Sequence, residues 1–275
     1  MPGEELDDAI GASKEFQKEG IPTVFTYLGE SIKDLGEAAT VRDHYISVLE
    51  RISSEKLEIE ISVKLTQLGL DLSGETALEN FKLIAERARR LGNVVWIDME
   101  RSNYVDATLD LYRKARKDFA NTGVCLQAYL RRTRSDVEKL LQISPSIRLV
   151  KGAYNEPKEI VFPSKHDVDE NYFELSKMLL RGIRENGARA AFGTHDIQLH
   201  ERIIKSSAEF GIPNEKLEFQ MLYGIKTNDQ KRLAREGYHI RVLISYGKAW
   251  YKWYVRRLAE RPANIGFVLR NLFGG

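Results

Sequence analysis

The chain contains eight short apolar runs rich in β-branched residues, and each is followed by a stretch with helical spacing. The runs cover residues 23–28, 59–65, 94–99, 124–129, 147–150, 190–194, 217–222 and 240–245. Apolar runs of this length are typical of strands buried on both faces, and their alternation with helices predicts a parallel sheet. Eight such units in about 250 residues are what a closed barrel requires. We therefore predict an α/β fold, a (β/α)8 TIM-type barrel, with its chemistry at the carboxyl ends of the strands.

The stretches between the runs have apolar residues that recur three or four positions apart, as in amphipathic helices. They cover residues 37–52, 76–91, 104–119, 135–141, 167–185, 197–210 and 228–235. Ser135 and Asn228 are the expected N-caps of two of these helices, because their side chains can accept a backbone N–H. A short amphipathic helix is also expected within residues 1–20, ahead of the first strand.

The end of the chain holds one helix more than the barrel requires. Residues 249–261 are rich in Trp and Tyr, and a closing helix follows within residues 262–275. One of these two segments must therefore lie outside the outer ring or extend past it. Since no low-complexity linker or shift in composition interrupts the chain, we expect residues 1–275 to form a single domain.

The charge balance and the cysteine content exclude several kinds of partner and setting. With 42 basic and 40 acidic residues the net charge is +2, so no overall field favours nucleic acid or an anionic membrane. No window approaches the ~18 consecutive apolar residues of a transmembrane span, and residues 1–20 lack the apolar centre of a signal peptide. The single cysteine, Cys125, excludes an internal disulfide and suits a reducing compartment, so we expect a cytoplasmic protein.

Charged, polar and small residues gather at the carboxyl ends of the predicted strands. In chain order they are Lys64, Asp98, Met99, Glu100, Gln127, Tyr129, Arg148, Lys151, Gly152, Ala153, Tyr154, Thr194, His195, Asp196, Gln220, Tyr223, Tyr246 and Gly247. With His195 counted, basic residues outnumber acidic ones at this rim by four to three, which suits an anionic ligand or cofactor. Structural ion pairs within the barrel mouth are the alternative explanation for some of these charges.

Three kinds of chemistry are compatible with this rim. Lys64 or Lys151 could form a Schiff base, as in aldolase-like barrels. Asp98 and Glu100 could be the carboxylate pair of a hydrolase, but residues two apart on one strand share a face and would crowd. Glycosidase carboxylates usually come from different strands and lie ~5–10 Å apart, which disfavours this alternative.

The third alternative is a cofactor-binding barrel. Gly152, Thr194 and His195 would then lie near phosphate or ribityl oxygens of the cofactor. A metal site is not expected, because His195 as a metal ligand would need partners of the same type and the five histidines are scattered along the chain.

A cluster of arginine and tryptophan in residues 250–257 favours a carboxylate ligand. On a helix Trp253 shares a face with Arg256 and Arg257, and Trp250 lies one turn earlier. Paired guanidinium groups beside an aromatic wall can recognise a carboxylate on a small, partly apolar molecule. The alternative is a solvated basic helix face that covers an aromatic core stripe.

Five strings in the chain closely resemble the proline dehydrogenase family. They are VKLTQLGLDLS, RLVKGAY, FGTHD, EFQMLYG and YVRRLAERPAN, and they follow the family's order over nearly the whole length. Members of this family are flavin-dependent (β/α)8 barrels that oxidise L-proline to Δ1-pyrroline-5-carboxylate. The resemblance implies FAD as cofactor, hydride transfer from the proline carbon next to nitrogen to flavin N5, and the first step of proline catabolism to glutamate.

The resemblance also implies roles for individual residues. Asp98 and Arg148 would be catalytic, with Arg148 beside flavin N5. The substrate would contact Lys64, Leu149, Tyr154, Tyr223, Trp253, Arg256 and Arg257, with Lys64 and the two arginines on its carboxylate. FAD would contact Met99, Gln127, Arg148, Lys151, Gly152, Ala153, Thr194, His195 and Gln220.

The resemblance further implies a quinone-type electron acceptor and therefore a transient association with the inner face of the membrane. For Arg256 and Arg257 to reach the substrate, residues 249–261 must lie over the barrel mouth. Trp253 stands where the family usually has tyrosine, so a hydroxyl is lost and bulk is gained at the substrate wall. This departure keeps hydroxyproline or another cyclic secondary amino acid as an alternative substrate, and a barrel that has lost catalysis is the non-enzymatic alternative.

Overall fold

Eight parallel strands form a closed barrel in sequential order in the computed structural model, which describes residues 1–29 and 32–251. The strands are β1 (Thr23–Tyr27), β2 (Ile59–Val63), β3 (Val95–Ile97), β4 (Thr122–Gln127), β5 (Ser146–Val150), β6 (Arg189–Gly193), β7 (Glu218–Leu222) and β8 (His239–Tyr246). The barrel closes where β8 pairs with β1, with Thr23 opposite Val242 and Tyr27 opposite Tyr246. The predicted (β/α)8 architecture is confirmed.

Eight α-helices lie within the described ranges. They are α1 (Leu6–Lys18), α2 (Leu35–Ser54), α3 (Gly74–Arg90), α4 (Val105–Arg116), α5 (Thr133–Leu140), α6 (Lys165–Asn186), α7 (Ile197–Glu209) and α8 (Thr227–Arg235). Helices α2 to α8 follow strands β1 to β7 in turn. Asp34, Ser73 and Ser164 cap α2, α3 and α6 by accepting a hydrogen bond from a backbone N–H of the first turn.

The predicted N-caps of two helices are wrong. Helix α5 begins after Arg132 rather than at Ser135, and α8 begins after Lys226 rather than at Asn228. The Thr133 hydroxyl donates to the backbone carbonyl of Gln127 at the end of β4, which holds the start of α5 close to the barrel. In α5 a tertiary contact therefore begins the helix earlier than the local capping pattern indicates.

The main core lies between the outer face of the strands and the surrounding helices, with Phe25, Phe81 and Phe219 fully buried in it. A second, small apolar cluster of Val24, Trp96 and Ala191 occupies the inside of the barrel. Alternate residues of each strand point to opposite faces, which is why two separate cores arise from the same strands.

Helix α1 packs against β1 and β8, the place on the outside of the barrel where the first and last strands meet. The Ser13 hydroxyl hydrogen-bonds the Thr23 hydroxyl at 2.7 Å, and Lys231 of α8 pairs with Glu19 at 2.6 Å. The amphipathic helix predicted in residues 1–20 is therefore confirmed, and it covers strands that a helix after β8 would otherwise cover. Residues 252–275, with the predicted closing helix, lie outside the described residues.

None of the helices in residues 1–29 and 32–251 has the length and apolar character needed to span a membrane.

Candidate active site

The carboxylate of Asp98 is the centre of a polar cluster in the mouth of the barrel. Its Oδ1 accepts hydrogen bonds from Ser62 Oγ at 2.5 Å and from Arg148 Nη1 at 2.9 Å. Its Oδ2 accepts from Thr26 Oγ1 at 3.3 Å and lies 3.4 Å from Lys64 Nζ. These residues come from β1, β2, β3 and β5 or the positions directly after them, so the cluster exists only in the closed barrel.

The charges in this cluster control the ionisation of Asp98. Burial by itself would raise the pKa of the carboxyl, but Lys64 and Arg148 and the Ser62 hydrogen bond outweigh it and hold the pKa below its ordinary value. Asp98 is therefore a carboxylate at neutral pH. An anionic group at this position binds and orients two cations in the mouth of the barrel.

Arg148 is the most deeply buried cation of the cluster, with 3% of its side chain exposed. Its guanidinium carbon lies 4.8 Å from the centre of a Trp96 ring, and its Nη1 also donates to Ser62 Oγ at 3.0 Å. Its Nε and Nη2 have no hydrogen-bond partner among the described residues. Since buried donors are normally satisfied, these two atoms are suited to an acceptor on a bound ligand.

Lys151 belongs to a separate network of alternating charges after β5. Its ammonium lies 2.9 Å from Asp196 Oδ2 and also hydrogen-bonds Asp169, which in turn pairs with Lys165. Burial raises the pKa of Asp196, but the hydrogen bond and charge of Lys151 outweigh it and lower the pKa overall. The network ties the loop after β5 to α6 and to the end of β6.

The residues directly after β6 hydrogen-bond to β7 and to α7. The Leu222 N–H donates to His195 Nε2 at 2.8 Å, which requires that nitrogen to be unprotonated and puts the proton of the neutral ring on Nδ1. The carbonyl of Thr194 accepts a hydrogen bond from His200 Nε2 at 3.0 Å. Because His200 is fully buried, its pKa is lowered to about 4 and the ring is neutral.

Gly152 allows the chain after β5 to pass over Tyr129. Its φ of +123° lies in the region that glycine favours, and a Cβ there would lie 2.2 Å from Cδ1 of Tyr129. The Tyr129 N–H donates to the carbonyl of Lys151 at 2.8 Å. A side chain at position 152 is therefore excluded, because the Tyr129 ring occupies the space that it would need.

Of the remaining residues predicted to contact the cofactor, Gln127 is the last residue of β4, whereas Gln220 lies in the middle of β7. Gln127 Nε2 donates to the carbonyl of Glu100 at 2.9 Å, and Gln220 Nε2 donates to Glu218 Oε1 at 2.7 Å. The Gln220 Oε1 atom has no partner among the described residues. Met99 is buried and Ala153 is half-buried.

The structure does not bring all predicted substrate residues to Asp98. Leu149 is fully buried in the main core on the outside of the barrel, and the Tyr172 hydroxyl donates to its carbonyl. Tyr223 packs edge-on against Phe16 of α1, with ring centres 6.0 Å apart. Tyr154 is half-buried in the loop after β5. Trp253, Arg256 and Arg257 lie outside the described residues.

Three residues of the cluster were missed by inspection of the strand ends. Thr26, Ser62 and Trp96 face the inside of the barrel, and Ser62 and Trp96 precede Lys64 and Asp98 by two positions. Residues two apart on a strand share a face, so this spacing was the signal that could have identified them.

Two of the alternative chemistries find little support in this geometry. The Nζ atoms of Lys64 and Lys151 are both engaged by carboxylates, whereas a Schiff-base lysine must have its amine available to attack a carbonyl. The Glu100 carboxylate accepts hydrogen bonds from the Thr66 N–H and hydroxyl, and so braces the turn after β2. Burial raises the pKa of Glu100, but its oxygens are engaged within the protein.

A model of the proline dehydrogenase family matches residues 9–270. Proline dehydrogenase 1 of Bacillus subtilis (strain 168) is 38% identical over 272 residues, which are 99% of this chain and 89% of that protein. Proline dehydrogenase of Deinococcus radiodurans is 35% identical over 280 residues, which cover 100% of this chain and 89% of that protein.

Solved structures with the same fold include two proline utilization A proteins. The protein from Bdellovibrio bacteriovorus, inactivated by N-propargylglycine, superposes with a TM-score of 0.88 at 26% identity over 99% of this chain. The protein from Corynebacterium freiburgense superposes with a TM-score of 0.81 at 19% identity over 94% of this chain, a likeness of fold alone. The chain spans about a third of these larger proteins, 33% of the first and 30% of the second.

Proposed function

Because the chain belongs to the proline dehydrogenase family, we propose that it oxidises L-proline to Δ1-pyrroline-5-carboxylate with FAD as cofactor, the first step of proline catabolism to glutamate. The observation that carries the proposal is the Asp98–Arg148–Lys64 cluster in the barrel mouth. It offers a buried guanidinium with two unengaged nitrogen donors, next to an ammonium that can meet a carboxylate.

The described residues fit a flavin at this position. The unpartnered Nε and Nη2 atoms of Arg148 and the Oε1 atom of Gln220 are buried polar atoms that call for a polar ligand. Gly152 packs directly against the Tyr129 ring, which fixes the backbone of the turn after β5. The residues that would hold FAD are Met99, Gln127, Arg148, Lys151, Gly152, Ala153, Thr194, His195 and Gln220.

When bound, FAD supplies the acceptor for a hydride from the proline carbon next to nitrogen, and loss of one proton from nitrogen completes the imine. The ammonium of Lys64, with Arg256 and Arg257, binds the substrate carboxylate and fixes the orientation of the ring. Arg148 places a positive charge where electron density increases during the reaction. Asp98 remains ionised, holds Lys64 and Arg148 in place, and compensates part of their charge.

We propose one domain over residues 1–275, with residues 249–261 over the barrel mouth and a closing helix within residues 262–275. Two described contacts support this placement. Helix α1 already covers β1 and β8 on the outside of the barrel, so the segment after β8 is not needed there. The indole N–H of Trp250 donates to Glu4 Oε1 at 2.7 Å, which directs the chain toward the N-terminal segment as it leaves β8.

The family membership also supports a quinone-type electron acceptor, which a cytoplasmic enzyme would meet in transient association with the inner face of the membrane. The charge balance of +2 offers no overall electrostatic attraction to anionic lipid. An association of this kind would therefore depend on a local surface rather than on the field of the whole protein.

Trp253 favours a second candidate substrate. The family usually has tyrosine at this position, and the indole removes a hydroxyl while it adds bulk to the substrate wall. Hydroxyproline or another cyclic secondary amino acid is the corresponding alternative. Polar groups on a substrate discriminate strongly only where the site offers a hydrogen-bond partner, so the loss of one hydroxyl can change the preference.

Flavin reduction tests both candidates directly. The protein purified with its flavin is mixed anaerobically with L-proline, 4-hydroxyproline or pipecolate, and the bleaching of the visible flavin band is followed. Fastest bleaching by proline is expected. Bleaching by hydroxyproline but not by proline would favour the second candidate, and a colourless protein that takes up no flavin would overturn the proposed function.

A further inference from the structure

Trp96 connects the candidate active site to a layer of charges deeper in the barrel. The side chain is fully buried and precedes Asp98 by two positions, so both face the inside of the barrel. Guanidinium carbons of Arg148 and Arg189 lie over Trp96, 4.8 Å and 5.0 Å from a ring centre. The indole N–H donates to Glu60 Oε2 at 2.6 Å.

The charges deeper in the barrel form a balanced layer of two glutamates and two arginines. Arg189 lies 2.8 Å from Glu60 and 2.7 Å from Glu218, and Arg241 lies 3.2 Å from Glu60. Burial raises the pKa of Glu218, but Arg189 and Arg241 outweigh it and the pKa is lowered. Each charge is paired with charges on other strands, so the layer is a fixed base beneath Trp96.

The barrel makes specific room for the indole. Gly123 stands opposite Trp96 in the register of β3 and β4, and a Cβ there would lie 2.4 Å from Cε3 of the ring. If position 96 served only to fill the interior of the barrel, any apolar side chain of similar volume would suffice. The indole in addition anchors its N–H on Glu60 and presents its ring to Arg148, which a leucine or methionine cannot do.

The guanidinium of Arg148 needs such a support. Its hydrogen bonds to Asp98 and Ser62 both use Nη1. Contacts at this one atom do not by themselves fix the orientation of the guanidinium plane, which can still rotate. The contact with the indole, whose ring centre lies 4.8 Å from the guanidinium carbon, restricts this rotation and so fixes where Nε and Nη2 point. These are the two donors that the described residues leave without partners.

We propose that Trp96 is a positioning residue for Arg148, and that the Glu60–Arg189 pair holds the indole in the orientation that this role requires. The inference rests on the proposed function, because Arg148 serves there to place a positive charge beside bound flavin. The charged layer thereby affects the chemistry at the mouth of the barrel without contact with substrate or cofactor.

Replacement of the Trp96 ring should change the reduction potential of the bound flavin more than it changes the binding of the substrate. In Trp96→Leu the Arg148 charge is less well held, so the reduced, electron-rich flavin is less stabilised. We expect the equilibrium between reduced and oxidised flavin to shift about tenfold toward the oxidised form, a fall of ~30 mV for a two-electron couple. The kcat should fall with it, whereas the KM for proline should change less than twofold. Trp96→Phe keeps an aromatic face beside Arg148 but loses the hydrogen bond to Glu60, so it should recover only part of the potential.

The experiment measures the midpoint potential of the flavin-loaded protein by spectroelectrochemical titration, with steady-state kinetics and thermal melting on the same samples. Phe81→Leu is the matched control, since Phe81 is fully buried in α3 on the outside of the barrel. It should lower the melting temperature and leave the potential unchanged. If Trp96→Leu does not accumulate as folded protein, Trp96→Met replaces it, because the longer side chain fills more of the space.

A wild-type potential in the leucine or methionine variant would overturn this inference alone, as would an equal shift in the Phe81→Leu control. A wild-type protein that binds no flavin, or whose flavin is not reduced by a cyclic secondary amino acid, would overturn the proposed function together with the inference. A lower potential that phenylalanine restores in part supports the positioning role.

Discussion

Arg148 donates a 2.9 Å hydrogen bond through Nη1 to Oδ1 of Asp98, from β5 to the residue after β3 across the mouth of the barrel. The side chains are 3% and 18% exposed, so both charges are largely withdrawn from water. Loss of one partner from such a pair costs more than the pair itself contributes, because an uncompensated buried charge remains. Removal of either group is therefore expected to disturb both folding and catalysis.

Asp98→Asn should lower proline turnover by at least about tenfold and destabilise the protein by about 3 kcal/mol, because Arg148 and Lys64 lose their shared counter-charge. Steady-state kinetics and urea unfolding measure the two effects. Asp118→Asn is the control, since Asp118 pairs with Lys82 on an exposed surface and should cost less than about 1 kcal/mol. Equal effects of the two substitutions would contradict the role of Asp98.

His200 should make the stability of the protein depend on pH between about 6.5 and 4. Burial lowers its pKa to about 4, so the unfolded chain binds the proton more readily than the folded one. The contribution of neutral His200 to the free energy of unfolding is then fully present above pH 6.5. It is lost as the pH falls toward 4, by about 3 kcal/mol in total. Urea midpoints across this range should decline less steeply in His200→Gln than in the wild type.

The comparison with His200→Gln isolates this residue. Burial also lowers the pKa of His44 and of His239, so the wild-type curve contains contributions of the same sign from both. Parallel curves for the two proteins between pH 6.5 and 4 would show that His200 does not contribute.

Gly152→Ala should weaken flavin binding by about tenfold or more. The residue has a φ of +123°, and a Cβ would collide with the Tyr129 ring, so the turn after β5 must move. Titration of the apoprotein with FAD measures the effect. Gly74→Ala is a suitable control, because a Cβ at the start of α3 meets nothing within 4 Å. Wild-type affinity in Gly152→Ala would remove this turn from the cofactor site.

Arg256→Met should raise the KM for proline about 10- to 100-fold with a smaller effect on kcat, because a charge-assisted contact to the carboxylate is lost. Arg235→Met, at the exposed end of α8, should leave the KM unchanged. An unchanged KM in Arg256→Met would exclude this residue from the substrate site and would argue against residues 249–261 over the mouth.

The order of strands and helices could be read from the sequence because it depends on local spacing. Each of the eight apolar runs overlaps one strand, and the helices between them begin and end within a few residues of the predicted limits. The helix boundaries differ from the predicted ones where tertiary contacts determine them. At the start of α5, for example, the Thr133 hydroxyl donates to the carbonyl of Gln127 at the end of β4. The resemblance to the family extended the prediction to the chemistry.

The direction in which each side chain points within the candidate site was harder to predict from the sequence than the order of the strands. Arg148 and Leu149 are neighbours in one run and were both expected in the site, yet Arg148 faces the barrel interior and Leu149 faces the helices. The alternation of side chains along a strand separates them. Strand ends identified Lys64, Asp98 and Arg148, but not Ser62, which lies one step deeper on the same face as Lys64.

The sequence by itself determined that the chain forms a barrel, that the site lies at the carboxyl ends of the strands, and which family the chain resembles. Periodicity and motif order are properties of the chain alone. Only the tertiary structure decided that Glu60 reaches Arg189, or that the Trp96 ring contacts the guanidinium groups of both Arg189 and Arg148. Such contacts depend on the register and closure of the strands, which bring together residues separated by long stretches of chain. The physical reason is that distances across a barrel are set by all eight strands at once.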